Sequence, residues 1–343
     1  MPVNQIAPVP FDSSALGAYL RDRIAGMGPD LALRPISGGQ SNPTFFLDSG
    51  ERRLVLRKRP AGELLPSAHA VDREYRVQAA LAGTGVAVPE MVLYCEDRTV
   101  LGTEFYVMER VEGRVLTDTR LSAIPRAERG AYFDALADML AAIHRVDYAA
   151  RGLADFGRAG GFAARQIGRW TKQWELSRTG PNADIERLID WLPRHLPAED
   201  RTTLVHGDFR LGNVMFHPEA PRIVAVLDWE LSTLGHPLAD LAHFCVFTWF
   251  MGPEDYGRGL HGVDVAAEGL PSMEQSVARY FRMAGQEGPL ATFYLALALF
   301  RNAVIFEGIA SRARQGNASS ENAAEVGRLA PALAARGAAL TRA

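Results

Sequence analysis

The stretch Leu204–Glu230, LVHGDFRLGNVMFHPEAPRIVAVLDWE, decides how the chain is read. It sets His206, Asp208, Asn213 and Asp228 around two short apolar runs, so it predicts a strand, a polar loop, and a strand-turn-strand ending on an acid. Working outward from it, the N-terminal side is rich in strands. LALRPISGGQSNPTFFLDSGERRLVLRKRP alternates apolar residues around Gly/Asn turns at 38–42 and 48–51, the pattern of antiparallel hairpins. MVLYCED and GTEFYVMERVEG add two more strands. Residues 12–26 read as a capped amphipathic helix, and 67–85 as a helix embedded among the strands and stopped at Gly83 and Gly85. From about residue 114 the pattern is helical except for the short strands of the opening stretch. The expected fold class is therefore α+β in two lobes: residues 1–110 a small antiparallel β-sheet lobe with one helix, and residues 111–343 a larger, mainly helical lobe. Ligands commonly bind in the cleft of such an arrangement.

Composition narrows the function. With 343 residues, 48% of them hydrophobic and 22% charged, the chain is an ordinary globular protein long enough for two domains. A net charge of −3 supplies no basic field for nucleic acid. Cys95 and Cys245 are far apart and in apolar surroundings, which argues against a disulfide framework or a structural zinc site. The first residues, MPVNQIAPVPFDSS, lack a basic start and a long apolar run, so no secretory signal is read there. The apolar segment 289–310 is broken by Arg301 and reads as a buried helix rather than a membrane span. The expectation is a reduced, cytoplasmic protein that engages neither nucleic acid nor membrane.

The chemistry comes from the spacing of oxygen ligands. Asp208 is followed after four residues by Asn213 and, one strand-turn-strand later, by Asp228. Two carboxylates and an amide oxygen leaving neighbouring strands on the same side can converge on Mg²⁺, which prefers oxygen ligands and bridges them to phosphates. Phosphoryl transfer also requires a carboxylate to receive the proton of the attacking hydroxyl. On this reading Asp208 is the base, while Asn213 and Asp228 hold the metal. A zinc hydrolase is disfavoured, because no H-E-x-x-H occurs and His206 and Asp208 offer no third converging ligand. Gly38, Gly39, Ser41 and Asn42 form a turn whose backbone could approach phosphates, but it is not the G-x-x-x-x-G-K-[ST] of P-loop proteins.

The D-x-x-x-x-N spacing matches the catalytic loop of protein kinases, with Gly207 where those enzymes carry Arg. Together VHGDFRLGNVMF, LDWELSTLGHPLADLA and SGGQSNPTFFL resemble the aminoglycoside phosphotransferase-like superfamily over residues 30–315. The resemblance is closest to the branch associated with acyl-CoA dehydrogenase domains. It implies a protein-kinase-like two-lobed fold that uses ATP and Mg²⁺. It also implies a structural role for His206 and, for Asp240, hydrogen bonds from the catalytic-loop backbone. A basic residue of strand 52–60 should contact the phosphates. Alternation places Val55 and Arg57 on one face and Leu56 and Lys58 on the other. A small apolar residue two positions before favours Arg57 with Val55 beneath the base, and Lys58 fits if the register shifts by one. Glu74 is the candidate acidic partner. By resemblance the adenine lies against Met108 and meets the carbonyl of Glu109 and the N–H of Val111.

The acceptor is the quietest part of the sequence. Phe162, Gln166, Trp170 and Gln173 share one helical face, a pattern that suits a core at least as well as a ligand site. Arg165, Arg169, Lys172 and a C-terminal tail with three Arg and no acid form a basic rim, which suits an anionic small-molecule alcohol better than a polycationic aminoglycoside. The resemblance points to a hydroxyacyl compound or its CoA thioester. An aminoglycoside or macrolide kinase and a non-catalytic nucleotide-binding regulator are the alternatives.

Overall fold

The structure, a computed structural model, describes residues 13–36, 42–60, 70–256, 258–315 and 323–342. Gly38, Gly39 and Ser41, expected at the phosphates, lie outside the described residues. The chain forms two compact units. The first runs up to Gly113 and takes in Val224–Glu230; the second comprises Arg114–Ile223 and the chain from Leu231 onward. The sequence reading placed the division at 110/111 and left 224–230 with the second lobe.

The first unit is built on a five-stranded antiparallel sheet of order β1-β2-β3-β5-β4. In chain order its elements are α1 (Ser13–Arg21), β1 (Ala32–Pro35), β2 (Thr44–Ser49), β3 (Arg52–Lys58), α2 (Val71–Leu81), β4 (Met91–Cys95), α3 (Arg98–Leu101) and β5 (Phe105–Glu109). Ser49 pairs with Arg52, so Gly50 and Glu51 form the whole hairpin loop, and Gly50 takes φ +57°. Strand alternation then sorts the side chains. Phe45, Leu47, Leu54, Leu56, Phe105 and Val107 join Leu16 and Leu20 of α1 in one core cluster. Val55 and Arg57 take the opposite face, where their register partners Met108 and Tyr106 also lie. α1 falls within the helix read at 12–26 and α2 within the embedded helix read at 67–85; the four-residue α3 is the one helix of this unit the sequence did not suggest.

The second unit is mainly helical. It contains β6 (Arg114–Val115), α4 (Arg126–His144), α5 (Phe162–Ser177), α6 (Ala183–Arg194), β7 (Thr203–Val205) and β8 (Val214–Phe216). After β9 (Ile223–Val226), which carries the chain into the first unit, come β10 (Thr233–Gly235), α7 (Pro237–Cys245), α8 (Met273–Ala284), α9 (Thr292–Arg314), α10 (Ala323–Gly327) and α11 (Leu329–Leu340). β6 and β10 were not anticipated; each is a two- or three-residue strand paired with β8 or β7, too short for a periodic signal.

α9 is long and apolar enough to cross a membrane, but 78% of that apolar window is buried, and α5, α6, α7 and α11 pack against it. It is the central helix of the unit. α8 is fastened to α4 by Arg279, whose Nε and Nη2 each donate to Asp138 at 2.7 Å. Two of the three arginines of the basic tail have partners within the second unit. Arg336 donates to the carbonyl of Phe250, and Arg342 lies 3.6 Å from Asp184. Arg165, on α5, caps the carbonyls of Arg158 and Gly160.

Candidate active site

In the second unit, β7 delivers the chain into the loop His206–Asn213, and a buried carboxylate on α7 receives it. α7 starts cleanly. The His236 ring accepts from the N–H of Leu238 at 3.2 Å, and Pro237 sits where its missing N–H costs nothing. One turn in, Asp240 accepts from the backbone N–H of His206 at 2.7 Å and of Gly207 at 2.9 Å. His144 at the end of α4 adds a 3.3 Å contact to Asp240 Oδ2 and is itself held by Tyr280 at 2.7 Å. Burial pushes the Asp240 carboxyl upward, but His144, His206 and the backbone donors outweigh it and bring it down to about 2. Asp240 is thus charged and fully engaged.

Gly207 follows directly from this. Its φ is +85°, and a Cβ there would meet the carbonyl oxygen of Leu231 at 2.5 Å. Glycine alone fits, which accounts for the absence of Arg at this position.

The turn presents Asp208. Its Oδ1 lies 2.8 Å from His243 Nε2, and its Oδ2 accepts from Asn213 Nδ2 at 2.8 Å, with Arg210 Nε 3.4 Å away. Because a carboxylate only accepts, His243 must carry its proton on Nε2. Its Nδ1 is then a buried lone pair with no hydrogen-bond partner among the described residues. Burial opposes the charge on Asp208, yet His243, Arg210 and His206 hold its carboxyl well below the usual carboxylate range. Asn213 Nδ2 also donates to the Asp208 carbonyl at 2.8 Å, so the amide nitrogen is committed and the amide oxygen is the end available for a cation. His206 is fully buried, and its Nδ1 accepts from the N–H of Asp208, so it braces the loop.

The first unit holds a second polar cluster. Arg57 Nε lies 2.8 Å from Glu74 Oε2, and Arg57 Nη2 donates to Glu74 Oε1 at 3.0 Å and to Asp228 Oδ1 at 3.3 Å. Tyr106, the register partner of Arg57, donates to Glu74 Oε2 at 3.1 Å, and Asn42 reaches Oε1 at 3.5 Å. Glu74 is 1% exposed, whereas Asp228 is 36% exposed. Burial works against the charge on both Arg57 and Glu74. Glu74, Tyr106 and Asp228 nonetheless raise the arginine above its ordinary value, while the Glu74 carboxyl is raised despite Arg57.

Asp228 has φ +63°, a left-handed conformation that aspartate tolerates better than most residues. Oxygens of Glu74, Asp228 and Glu230 all lie within 4.8 Å of one another. A donor set made only of carboxylate oxygens, on these three residues of the first unit, fits Mg²⁺ and does not resemble a zinc set.

Between the two candidate cations of β3, the structure pairs Arg57 with Glu74 and puts Lys58 on the α1 face of the sheet, buried. The Asn42 side chain is buried, with its Nδ2 3.5 Å from Glu74 Oε1. Val55 lies beside Met108 across the β3–β5 ladder. In that ladder Arg110 donates to Arg53, and antiparallel alternation turns both backbone groups of Glu109 away from β3. The Glu109 N–H is taken by the carbonyl of Glu90, leaving the Glu109 carbonyl on that edge, with Val111 two residues on. His243, His144, Arg210 and Arg301 escaped sequence reasoning. For His243 a signal existed, since it stands three residues after Asp240 and therefore on the same face of α7.

The arrangement is that of a kinase-like phosphotransferase: a carboxylate on a loop after a strand, braced by a buried acid, and an Arg–Glu pair on a five-stranded sheet. Residues 32–287 match the phosphotransferase enzyme family, and the chain belongs to that family. It is 41% identical to human acyl-CoA dehydrogenase family member 11 over 97% of its own length. The alignment covers 43% of that relative, so the chain spans less than half the length of this curated protein. It is 44% identical, with a TM-score of 0.89, to a crystal structure from Ralstonia eutropha provisionally described as an aminoglycoside phosphotransferase, covering 97% of this chain and 98% of that one. The fold is shared, at 17% identity and a TM-score of 0.61, with the aminoglycoside phosphotransferase APH(4)-Ia in complex with AMP-PNP and hygromycin B, covering 96% and 99%.

Replacing Gly207 with Ala should lower the unfolding midpoint and abolish turnover. The left-handed backbone costs alanine about 1–2 kcal/mol before the clash with Leu231 is counted. Thermal unfolding followed by circular dichroism checks it, and an unchanged midpoint would contradict the fit described for this glycine.

Proposed function

We propose that this protein is an ATP- and Mg²⁺-dependent small-molecule kinase. It transfers the γ-phosphate to an alcohol oxygen of a hydroxylated acyl compound or its CoA thioester. The observation that carries the reading is the state of Asp208, a carboxylate kept charged and oriented through both oxygens by His243 and Asn213. Such a group can accept a hydrogen bond from an acceptor hydroxyl and fix the direction of its lone pair. As the acceptor oxygen bonds to the γ-phosphorus, the bond to the ADP oxygen breaks, ADP departs with the electron pair, and the hydroxyl proton passes to Asp208.

Asn213 and Asp228 each offer an oxygen for Mg²⁺, whose charge when bound neutralises that of the phosphates. Arg57, held by Glu74, is the cation for the α- and β-phosphates. Val55 and Met108 form the apolar surface for the base, and the Glu109 carbonyl and Val111 N–H serve its polar edge. Gly38, Gly39 and Ser41 complete the phosphate turn in this proposal. The acyl character of the acceptor is supported by the acyl-CoA dehydrogenase-associated relatives. The guanidinium of Arg210 close to Asp208 suits a polycationic antibiotic poorly. The cytoplasm is the proposed location.

Two substitutions test the assignment. Asp208→Asn should reduce ATP-dependent phosphorylation of hydroxylated metabolites by ~10²–10⁴-fold while ATP still binds. Turnover equal to wild type would remove Asp208 from the chemistry. Asp228→Ala should abolish the Mg²⁺ dependence of nucleotide binding measured by calorimetry, and an unaltered Mg²⁺ response would remove it from the metal site.

A further inference from the structure

The loop after β7 continues as Asp208, Phe209, Arg210 and Leu211, polar and apolar residues in turn. Phe209 and Leu211 are buried, and Arg210 has an extended backbone with φ −159° and ψ 165°. Asp208 and Arg210 therefore turn together to the side away from the core. The Arg210 carbonyl accepts from the N–H of Asn213 at 2.9 Å, which fixes its place in the loop. The kinase reading gives tasks to Asp208 and Asn213 and none to the arginine between them.

The Arg210 guanidinium lies over the ring of Phe247, 5.7 Å from its centroid, and points Nε to Asp208 Oδ2 at 3.4 Å. Asp208 is held more closely by others: Oδ2 takes Asn213 Nδ2 at 2.8 Å, and Oδ1 faces His243 Nε2 at 2.8 Å. The terminal nitrogens of Arg210 donate to no protein group among the described residues. Gly212 leaves room for them, since a Cβ there would come within 2.9 Å of Nη1. The side chain is 28% exposed, so these donors are within reach of a ligand.

Arg210 lines a pocket of the second unit with a volume of about 160 Å³. That is the room of about five waters, enough for a phosphate group. Arg258, Thr117, Thr119 and Thr248 share the lining, with Phe247 as an apolar wall, and no carboxylate is among the described lining residues. Asp255, whose carbonyl accepts from the Arg258 N–H, gives its carboxylate to the N–H of Gly252 at 2.6 Å and lies 4.0 Å from Arg336. Arg258 itself has φ +44°, a left-handed conformation that is costly for a side chain of its size. Guanidinium and hydroxyl donors without an acid select a compact oxyanion.

We infer that this pocket is an oxyanion site and that Arg210, assisted by Arg258, is a catalytic residue that holds the phosphoryl group during its transfer. The inference rests on the kinase reading and adds the group that steadies the phosphoryl oxygens on the side of the base. A charged Asp208 beside the acceptor hydroxyl repels the incoming phosphoryl group, whose equatorial oxygens stay charged through the transition state. A guanidinium that meets Asp208 through Nε and the phosphoryl oxygens through its terminal nitrogens offsets that repulsion. Arg210 forms no covalent bond and moves no proton. The acceptor oxygen bonds to phosphorus, ADP leaves with the electron pair of the broken bond, and Asp208 receives the hydroxyl proton.

The test measures calorimetric affinity for MgADP with and without aluminium fluoride, which stands in for the phosphoryl group in flight. Wild type should bind MgADP more tightly when the fluoride is present. Arg210→Gln should lose about 10²-fold of that gain and keep the affinity for MgADP alone. Arg210→Lys should retain part of the gain, and Arg258→Gln should show a smaller loss of the same kind. The loss caused by Arg210→Gln should recur when Asp208 is already replaced by Asn, because the contact is with the phosphoryl group and not through the base.

A loss that vanishes in the Asp208→Asn protein would make Arg210 only a brace on Asp208 and overturn the inference. An undiminished gain in folded Arg210→Gln overturns it too, as does a wild type that binds MgADP and gains nothing from fluoride. If wild type binds no MgADP, the kinase reading fails separately, and titration with inorganic phosphate decides the pocket. Phosphate bound by wild type and released by Arg210→Gln supports the oxyanion site, whereas absent or equal binding overturns it.

Discussion

One buried carboxylate organises the second unit. Asp240 takes the backbone N–H groups of His206 and Gly207 together with the ring of His144, so a single side chain joins α7, the end of α4 and the loop after β7. The constraint propagates by elementary accounting. Two N–H groups that would otherwise be buried without acceptors, each costing about 1–3 kcal/mol, are satisfied only when the loop adopts one path. That path demands a left-handed residue pressed against Leu231, which only glycine supplies. It also fixes the next residue, Asp208, where His243 from the same face of α7 and Asn213 from the end of the loop can hold its two oxygens. The reactive group is therefore set by backbone hydrogen bonds one residue away from it.

The first unit solves a comparable problem with a different shared carboxylate. Glu74 is almost fully buried, and a charged group there is tolerable only with several donors; Arg57, Tyr106 and Asn42 provide them. Arg57 and Tyr106 meet Glu74 together because they are direct register partners on β3 and β5. The same guanidinium reaches Asp228, so the residue proposed to hold metal and the residue proposed to hold phosphate are linked in one network. Arginine suits this role through its planar fork, which engages two carboxylates at once where a lysine would offer a point charge.

Much of this was legible in the sequence, for identifiable reasons. Asp208, Asn213 and Asp228 stand at spacings that have few other uses, and the strict period of two in β3 separated Arg57 from Lys58. The β-rich and helical halves followed from the change of hydrophobic period near residue 114. What escaped depended on contacts distant in sequence. His144 meets Asp240 from 96 residues away and Arg301 meets Gly207 from 94, and no local pattern encodes either. The basic tail misled because charge counted along the chain does not reveal which arginines have partners within the protein, as Arg336 and Arg342 do. β6 and β10 are defined by their partners rather than by their own residues, and Val224–Glu230 groups with the first unit through tertiary contacts such as Val226 to Ala87.

The central claim is that the Asp240 carboxylate sets the conformation that makes Asp208 competent. Residue-resolved amide hydrogen exchange on Asp240→Asn, paired with turnover and ATP affinity, tests it most directly. The substituted amide can accept through one oxygen only and turns an NH₂ toward the other donor. The amides of His206 and Gly207 should then lose protection selectively, and turnover should fall while ATP affinity stays at the wild-type value. Protection of both amides and turnover at wild-type levels in the folded variant would contradict the account.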